Sequence, residues 1–556
     1  MNATGLPEED ILQVIEYPPN LSLGDLAIPC FKFAKALRKN PAQIAEQIAG
    51  AIKDIPECGE ITTVGGYVNI KLHHTAFAKA TVLTANTEVE SLFSAKRGKG
   101  HKVAVEFSSP NIAKPFGVGH LRSTMIGESI LRLFRADGYD AMGINHLGDW
   151  GTQFGKNIAA YKKWGNEEEV KANPVRELLS LYVRFHEEAS KSPELDDEAR
   201  EWFKKLEDGD EETVRLWKWF ISESLKSFQK TYDLLGVHFD HVLGESFYND
   251  KMQAIIDELR DNGLLVTSDG AQVVDLSEWN MPPCIILKSD GATIYATRDL
   301  AAADYRHKVL GAERIIYVVG AEQTLHFQQV FKVLELMGRE WVKECAHVAF
   351  GMMKYNGERL STRRGKIVYL EDVLSRAIEE AEKIINEKNP ELQDKHKVAE
   401  MVGIGAVIFN DLKTYRMHDV DFRYEDVLNF DGETGPYVQY THARASSVLR
   451  KAESQNISLL LDGEFSEVTD TEWSLIYEMA QANELFERAI DELDPSIIAR
   501  LALRVCQAFN RFYHDNPILN APDDRTRNQR LAITAACRNV LAFALHLIGL
   551  EAPSAM

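Results

Sequence analysis

The stretch Glu106-Phe-Ser-Ser-Pro110-Asn111-Ile-Ala-Lys114-Pro-Phe-Gly117-Val-Gly119-His120-Leu-Arg-Ser-Thr124 concentrates residue types that handle phosphate. Gly119 lets backbone approach a ligand closely. A helix starting there would turn its free N–H groups and the positive end of its dipole toward an anion. His120 and Lys114 can donate to phosphate oxygens as negative charge builds on them. A plain Gly-containing turn with a surface histidine is the ordinary alternative. Two basic clusters and one aromatic stripe stand elsewhere. Lys32, Lys35 and Lys39 fall at i, i+3 and i+7, the spacing of one helical face, with no acid between Leu26 and Ala45. Arg359, Arg363, Arg364 and Lys366 form a second basic group. Tyr437, Tyr440 and Arg444 are spaced as one face of a helix, and rings with arginine are the tools for splayed single-stranded bases. A solvated face and a core stripe are the bland readings of these patterns.

Those residues need elements to hold them. Val103, Val105 and Phe107 alternate with Ala104 and Glu106, the period of a strand, and the Ser-Ser-Pro-Asn loop follows. Leu121, Met125, Ile126, Ile130, Leu133 and Phe134 then recur at helical spacing, with Gly138 as the expected stop. Strand, turn and helix make the first half of a nucleotide-binding α/β unit. Before it, residues 1–96 read as a small α+β domain, with a helix from Pro41 and a turn and strand at Gly65 to Leu72. Residues 160–240 read as an acidic helical insertion packed on Trp164, Trp202, Trp217 and Trp219. The α/β pattern resumes with a strand at Ile315–Val319, a helix through Phe327 and Leu334, a strand at Ala346–Phe350 and an Asn356-Gly357 hairpin turn. From about residue 370 the pattern is helical to the end.

Composition narrows the class. With 45% hydrophobic and 26% charged residues, the 556-residue chain reads as folded multidomain protein. Eighty-four acids against 63 bases give −21, which argues against a general DNA coat or a polybasic membrane binder but allows local basic patches. The six cysteines are scattered with no CxxC pair, so neither a zinc site nor a disulfide framework is expected. The N-terminus has no leader pattern and no uninterrupted apolar stretch approaches 18 residues, so a cytoplasmic protein without a membrane span is expected.

Gly117-Val118-Gly119-His120 resembles the HIGH signature of class I aminoacyl-tRNA synthetases. Its flanks, Ser-Ser-Pro-Asn-Ile-Ala-Lys-Pro before and Leu-Arg-Ser-Thr after, resemble the arginyl-tRNA synthetases specifically. Asn145-His-Leu-Gly-Asp-Trp-Gly-Thr-Gln-Phe-Gly155, Asp290-Gly-Ala-Thr-Ile-Tyr-Ala-Thr-Arg-Asp299 and Gly435-Pro-Tyr-Val-Gln-Tyr-Thr-His-Ala-Arg444 extend the resemblance toward the terminal Met556. It implies an α/β Rossmann-type catalytic domain with an N-terminal α+β domain and a C-terminal all-α anticodon-binding domain. The boundaries would be 1–96, 97–372 with the insertion inside, a helical connecting region at 373–430, and 431–556. The implied reaction activates L-arginine with ATP, accompanied by Mg²⁺, and transfers it to tRNA(Arg); the family is usually monomeric. A non-catalytic tRNA-binding paralogue and a HIGH-type nucleotidyltransferase acting on a small molecule are the rival readings.

The resemblance also assigns residues. Pro110, Gly117, Gly119, His120 and the degenerate KMSKS segment Arg359, Ser361 and Arg363 would hold ATP, with Lys114, Gly119 and His120 catalytic. Asp299, Glu245 and Tyr295 would face the guanidinium, which a carboxylate grips through paired hydrogen bonds. Asn111 and Gln323 would hold the backbone end of the amino acid, and Glu106 would support the HIGH-like loop. Lys32, Lys35 and Lys39 would approach the outer corner of tRNA, and Tyr437, Tyr440, Arg444 and Met556 its anticodon. No dedicated metal-ligand cluster is expected. Two positions depart from the family. Thr362 stands for the second KMSKS lysine, and Lys114 takes the place of the lysine thought to substitute for it. Gly117 stands for the first histidine of HIGH. It is read as a lost phosphate donor, so that Gly117→His is expected to speed adenylate formation; a slowing would mean instead that the position needs close backbone approach.

Overall fold

The computed structural model describes residues 14–18, 20–55, 58–359, 368–430, 432–461 and 463–556. They form two compact units that follow packing and not chain order: Met1–Val89 with Val448–Gln481 and Gln507–Val540, and Glu90–Ser447 with Ala482–Cys506 and Leu541–Met556.

In the first unit, β1 (Leu26–Pro29), β3 (Tyr67–Leu72) and β2 (Cys58–Val64) make an antiparallel sheet in that order. The helix Pro41–Ile52 begins as its sequence dictates: Asn40 caps it by accepting from Ala42 N at 2.9 Å, and Pro41 occupies the first helical position. Ile44, Ala45 and Ile48 then meet Ile28, Cys30, Val68 and Ile70 in one core. Strands β1 and β2 and the helix His74–Thr87 are elements the sequence reading did not name; the burial of β2 does not alternate cleanly, so it carries no period-two signal. Asp25 closes the unit from inside, accepting from Leu72 N and from Trp473 Nε1, and lying 3.0 Å from His74 Nε2.

One expectation fails here. Lys32 lies in a 3-10 turn, Cys30–Phe33, and Lys35 in a single helical turn, Ala34–Leu37. Arg38 then adopts a left-handed conformation, φ 50°, ending the helix before Lys39. Lys39 instead donates to Gln47 of the next helix at 2.8 Å. The three lysines are exposed, but they do not share one helical face.

The second unit is built on a parallel sheet of order β11-β10-β4-β5-β6, comprising Ala346–Phe350, Arg314–Gly320, Lys102–Glu106, Asp140–Asn145 and His241–Val242. Strand β4 is central, and its middle residues Val103, Ala104 and Val105, buried between the two faces, are apolar. The helix Gly119–Ala136 packs on this sheet and carries a fully buried arginine. Arg122 forms an ion pair with Asp411 at 2.8 Å and donates to the carbonyls of Gly351, His418 and Arg416. It thereby ties the helix to the end of β11 and to the segment entering β14 (Val420–Phe422). Removing one member of such a buried pair costs about 3–5 kcal/mol, because the other charge is stranded.

The acidic insertion is helical, from Thr152–Trp164 through Glu211–Leu235; Trp217 and Trp219 pack edge to face against Trp150 and Tyr161, while Trp164 lies under Arg184 and Trp202 under Lys205. A small antiparallel sheet of order β7-β8-β9, Leu265–Ser268, Ala271–Val274 and Cys284–Leu287, supports the helix Tyr295–Lys308; Thr297 Oγ1 donates to Ile286 O. The expected hairpin is present: Asn356 at φ 50° and Gly357 at φ 77° join β12 (Met353–Tyr355) to β13 (Glu358–Arg359), and β12 pairs in parallel with β14. One helix among the described residues, Asp524–Leu547, is apolar enough to span a membrane by composition and length. Seventy-two per cent of its apolar window is buried inside the protein, as in a core helix.

Candidate active site

The strand order reverses between β4 and β10, the switch point at which open α/β sheets hold ligands. A cleft of about 820 Å³ opens there, at the carboxyl ends of β4, β5, β10 and β11. Glu106, Asn111, Gly119, His120, Glu245, Tyr295, Asp299 and Gln323 all line it, although they come from four separate segments. Pro110, Lys114 and Gly117 belong to the same entry loop without lining the cleft. Ser361 and Arg363 lie outside the described residues, and so does the side chain of Arg359.

The entry loop is strained and held. Ser108, Ser109 and Ala113 have φ of 68°, 48° and 57°, a region that costs non-glycine residues about 1–3 kcal/mol each. Side chains fix these conformations. Ser108 N donates to Ser123 Oγ at 3.0 Å, and Ser123 Oγ donates to Val318 O at 2.7 Å. Ser108 Oγ lies 2.8 Å from the Tyr232 hydroxyl. Ile112 N donates to Gly148 O, and Gly148 N to Pro110 O, both at 3.1 Å. A Cβ on Gly148 would stand 2.4 Å from Asn111 Oδ1, so a glycine is needed there for Asn111 to reach the cleft.

Gly119 heads the helix and has no atom within 4 Å of where a Cβ would be, so its missing side chain leaves open cleft beside the helix N-terminus. His120 is half-buried and stacked on Phe116, with ring centroids 5.2 Å apart. Burial pulls its pKa down, reinforced by the charge of Lys114 and opposed by the Gly117 backbone, so the ring is neutral near pH 7. Its Nδ1 lies 3.2 Å from Gly117 N and 3.3 Å from Gly117 O, and the tautomer decides which contact is the hydrogen bond. When Nδ1 accepts from Gly117 N, the ring proton sits on Nε2, the tautomer able to donate to a phosphate oxygen.

Gly117 bridges Tyr369 antiparallel, flanked by Val118 N→Val368 O and Leu370 N→Phe116 O, both 3.0 Å. A Cβ at residue 117 would lie 3.2 Å from Val368 O, tighter than ordinary contact and against backbone. This favours the close-approach reading over the lost-donor reading. Gly117→His is accordingly expected to slow adenylate formation, and acceleration in a single-turnover assay would restore the lost-donor reading.

The other end of the cleft is acidic. Asp299 stands one helical turn beyond Tyr295, which is 70% exposed at the mouth. His326 Nε2 lies 2.6 Å from Asp299 Oδ2. Burial pushes the Asp299 carboxyl up, but the His326 hydrogen bond and the nearby His146 and Arg306 outweigh it and hold the pKa below its ordinary value. Glu245 heads a 3-10 turn whose geometry is set by buried Asp149. That carboxylate accepts from Ser246 N at 2.8 Å and from Ser246 Oγ at 2.6 Å. Arg298 lies 3.6 Å from Glu245. Burial nevertheless pushes Glu245 up to about 7, helped by the charges of Asp299 and Asp149. Glu106 pairs with fully buried Arg306 at 2.5 Å, so its partner is the helix Tyr295–Lys308 and not the HIGH-like loop expected from sequence.

The sequence reading missed His146, Arg298 and His326, which also line the cleft. Each sits inside or three residues beyond a segment already singled out, but nothing in residue type alone separates them from their neighbours. Away from the cleft, Tyr440 is 40% exposed, with the Arg444 guanidinium 4.8 Å from its ring centre, and Tyr437 is half-buried. The Met556 carbonyl accepts from Asn389 Nδ2 at 2.9 Å.

Comparisons with known proteins agree with this geometry. The family model described as class I (R) tRNA synthetases, catalytic domain, matches residues 82–424; the DALR anticodon binding domain matches 438–556; and the arginyl-tRNA synthetase N-terminal domain matches 2–72. An arginine–tRNA ligase of Clostridium perfringens is 50% identical over 547 residues, covering 98% of this chain and 96% of the relative. One of Alkaliphilus metalliredigens is 48% identical over 552 residues, covering 99% and 97%. Among solved structures, the arginyl-tRNA synthetase of Thermus thermophilus superposes with a TM-score of 0.83 at 26% identity, covering 99% of each chain. With the family's catalytic model matched over more than half its length and close relatives matched along nearly all of it, the chain belongs to the arginyl-tRNA synthetase family of class I.

Proposed function

We propose that this chain is an arginine–tRNA ligase acting in the cytoplasm as a monomer. The observation that carries the reading is one cleft with a phosphate end and a guanidinium end: Gly119, neutral His120 and a helix N-terminus at one, Asp299 and Glu245 at the other. ATP enters with Mg²⁺ as part of the substrate. An oxygen of the arginine carboxylate attacks the α-phosphorus, and the bond to pyrophosphate breaks. The 2′-hydroxyl of the terminal adenosine of tRNA(Arg) then attacks the adenylate carbonyl, and AMP leaves. Tyr295, Asp299 and Glu245 bind the guanidinium, and Asn111, Gln323 and Glu106 face the amino-acid backbone. Gly119 and His120, with Lys114 behind them, face the phosphates, where stabilising developing charge is the main task. Arg359, Ser361 and Arg363 complete the ATP site. Tyr437, Tyr440, Arg444 and Met556 serve the anticodon, and exposed Lys32, Lys35 and Lys39 contact the tRNA backbone.

The direct test is aminoacylation of total tRNA with each labelled amino acid in turn. Charging with arginine alone is expected. Binding of tRNA without charging would favour the non-catalytic paralogue.

Glu245 gives the reaction a pH signature. Only the ionised carboxylate matches a cationic guanidinium, and with a pKa of about 7 its ionised fraction falls as the medium is acidified through neutrality. Arginine KM is therefore expected to rise from pH 8 to pH 6 with ATP KM nearly level. Glu245→Gln, locked in the neutral form, should have a raised KM that varies little over this range. A wild-type arginine KM independent of pH would remove Glu245 from guanidinium recognition.

A further inference from the structure

Three of the four carboxylates that line the cleft, Glu106, Glu245 and Asp299, are backed by a basic side chain, and the three pairs differ. Glu106 has a buried permanent cation, Arg306, at 2.5 Å; Glu245 has Arg298 at 3.6 Å; Asp299 has a histidine at 2.6 Å. A carboxylate only accepts hydrogen bonds, so the close contact to Asp299 Oδ2 requires the proton of His326 to sit on Nε2. His326 occupies the first turn of the helix Thr324–Leu336, three residues after Gln323, and both line the cleft. Asp299 and His326 are each 22% exposed, so this contact is formed at the cleft wall and not deep in the core.

We propose that His326 is a positioning residue for the guanidinium end of the substrate, its Nε2–H fixing Asp299 in the rotamer that faces the cleft and leaving Oδ1 for the incoming cation. The inference rests on the reading of Asp299 as an arginine ligand. Planar recognition of a guanidinium depends on the plane of the carboxylate, and an unsupported aspartate would sample several. A histidine suits this place better than lysine or arginine. An imidazole donates this hydrogen bond through one defined N–H, whereas lysine or arginine would set a permanent cation against Asp299 in competition with the substrate. The same short helix start would then serve both ends of the amino acid, Gln323 its backbone and His326, through Asp299, its side chain.

The test compares steady-state constants for His326→Ala and His326→Gln in the full-length protein, with Asp299→Ala as reference. Losing one hydrogen bond to a charged group should raise arginine KM roughly 10- to 100-fold in His326→Ala. ATP KM and kcat should change by less than about threefold, the pattern of lost ground-state binding. His326→Gln, whose amide can place an N–H near the imidazole Nε2 position, should recover most of the loss. Adding His326→Ala to Asp299→Ala should cost little more than Asp299→Ala alone. An unchanged arginine KM in His326→Ala beside a raised one in Asp299→Ala overturns the positioning role alone. So does an equal loss in the alanine and glutamine variants, or a parallel rise in ATP KM. An unchanged arginine KM in Asp299→Ala overturns the arginine-site reading together with this one.

Discussion

Replacing Lys114 with alanine should slow adenylate formation by about 10²–10³-fold, the usual cost of losing one transition-state donor, with arginine binding nearly intact. Displacement at the α-phosphorus loads negative charge onto the phosphate chain, and a cation must meet it where little water is present. The KMSKS-like segment has Thr362 in place of the usual ATP-contacting lysine. Lys114 is half-buried in the turn that precedes the helix Gly119–Ala136, and its charge reaches His120 strongly enough to help depress that imidazole. The two residues thus lie close together at the entry loop. The decisive comparison sets Lys114→Ala against Lys114→Ala combined with Thr362→Lys in single-turnover adenylation. Partial rescue would show that the two loops serve the same phosphates. Near-normal adenylation in the single variant would end the substitution account.

Asp299→Ala should raise arginine KM by roughly two to three decades, because stranding a buried cation costs on the order of 3–5 kcal/mol. ATP KM should change far less, since Gly119 and His120, proposed to face the phosphates, belong to the entry loop and helix start and Asp299 to the separate helix Tyr295–Lys308. The low pKa of Asp299 means that the wild-type carboxylate is ionised throughout the physiological range, so this loss should be nearly independent of pH. That separates it from Glu245, whose contribution should fade on acidification. An arginine KM that stays at the wild-type value would take Asp299 out of the pocket.

The sequence by itself determined the local units of this protein. The strand Lys102–Glu106 and the helix Gly119–Ala136 are legible because apolar period and turn residues act over a few positions. The Asn356-Gly357 hairpin follows from two residues that tolerate positive φ. Asp299 and Tyr295 were paired through the resemblance of the segment Asp290–Asp299, and they share the helix Tyr295–Lys308. Tertiary structure decided what those residues touch. The partner of Glu106 is Arg306, 200 positions away, and that of Asp299 is His326, on another helix; periodicity carries no information about contacts between separate elements. Lys32, Lys35 and Lys39 looked like one helical face until Arg38 turned left-handed, because three identical charges at the right spacing do not supply the apolar stripe that holds a helix. Gly117 shows the same division. Its identity is visible in the chain, but its physical reason, the Val368 carbonyl 3.2 Å from where a side chain would begin, exists only once residues 368–370 fold back across residues 116–118.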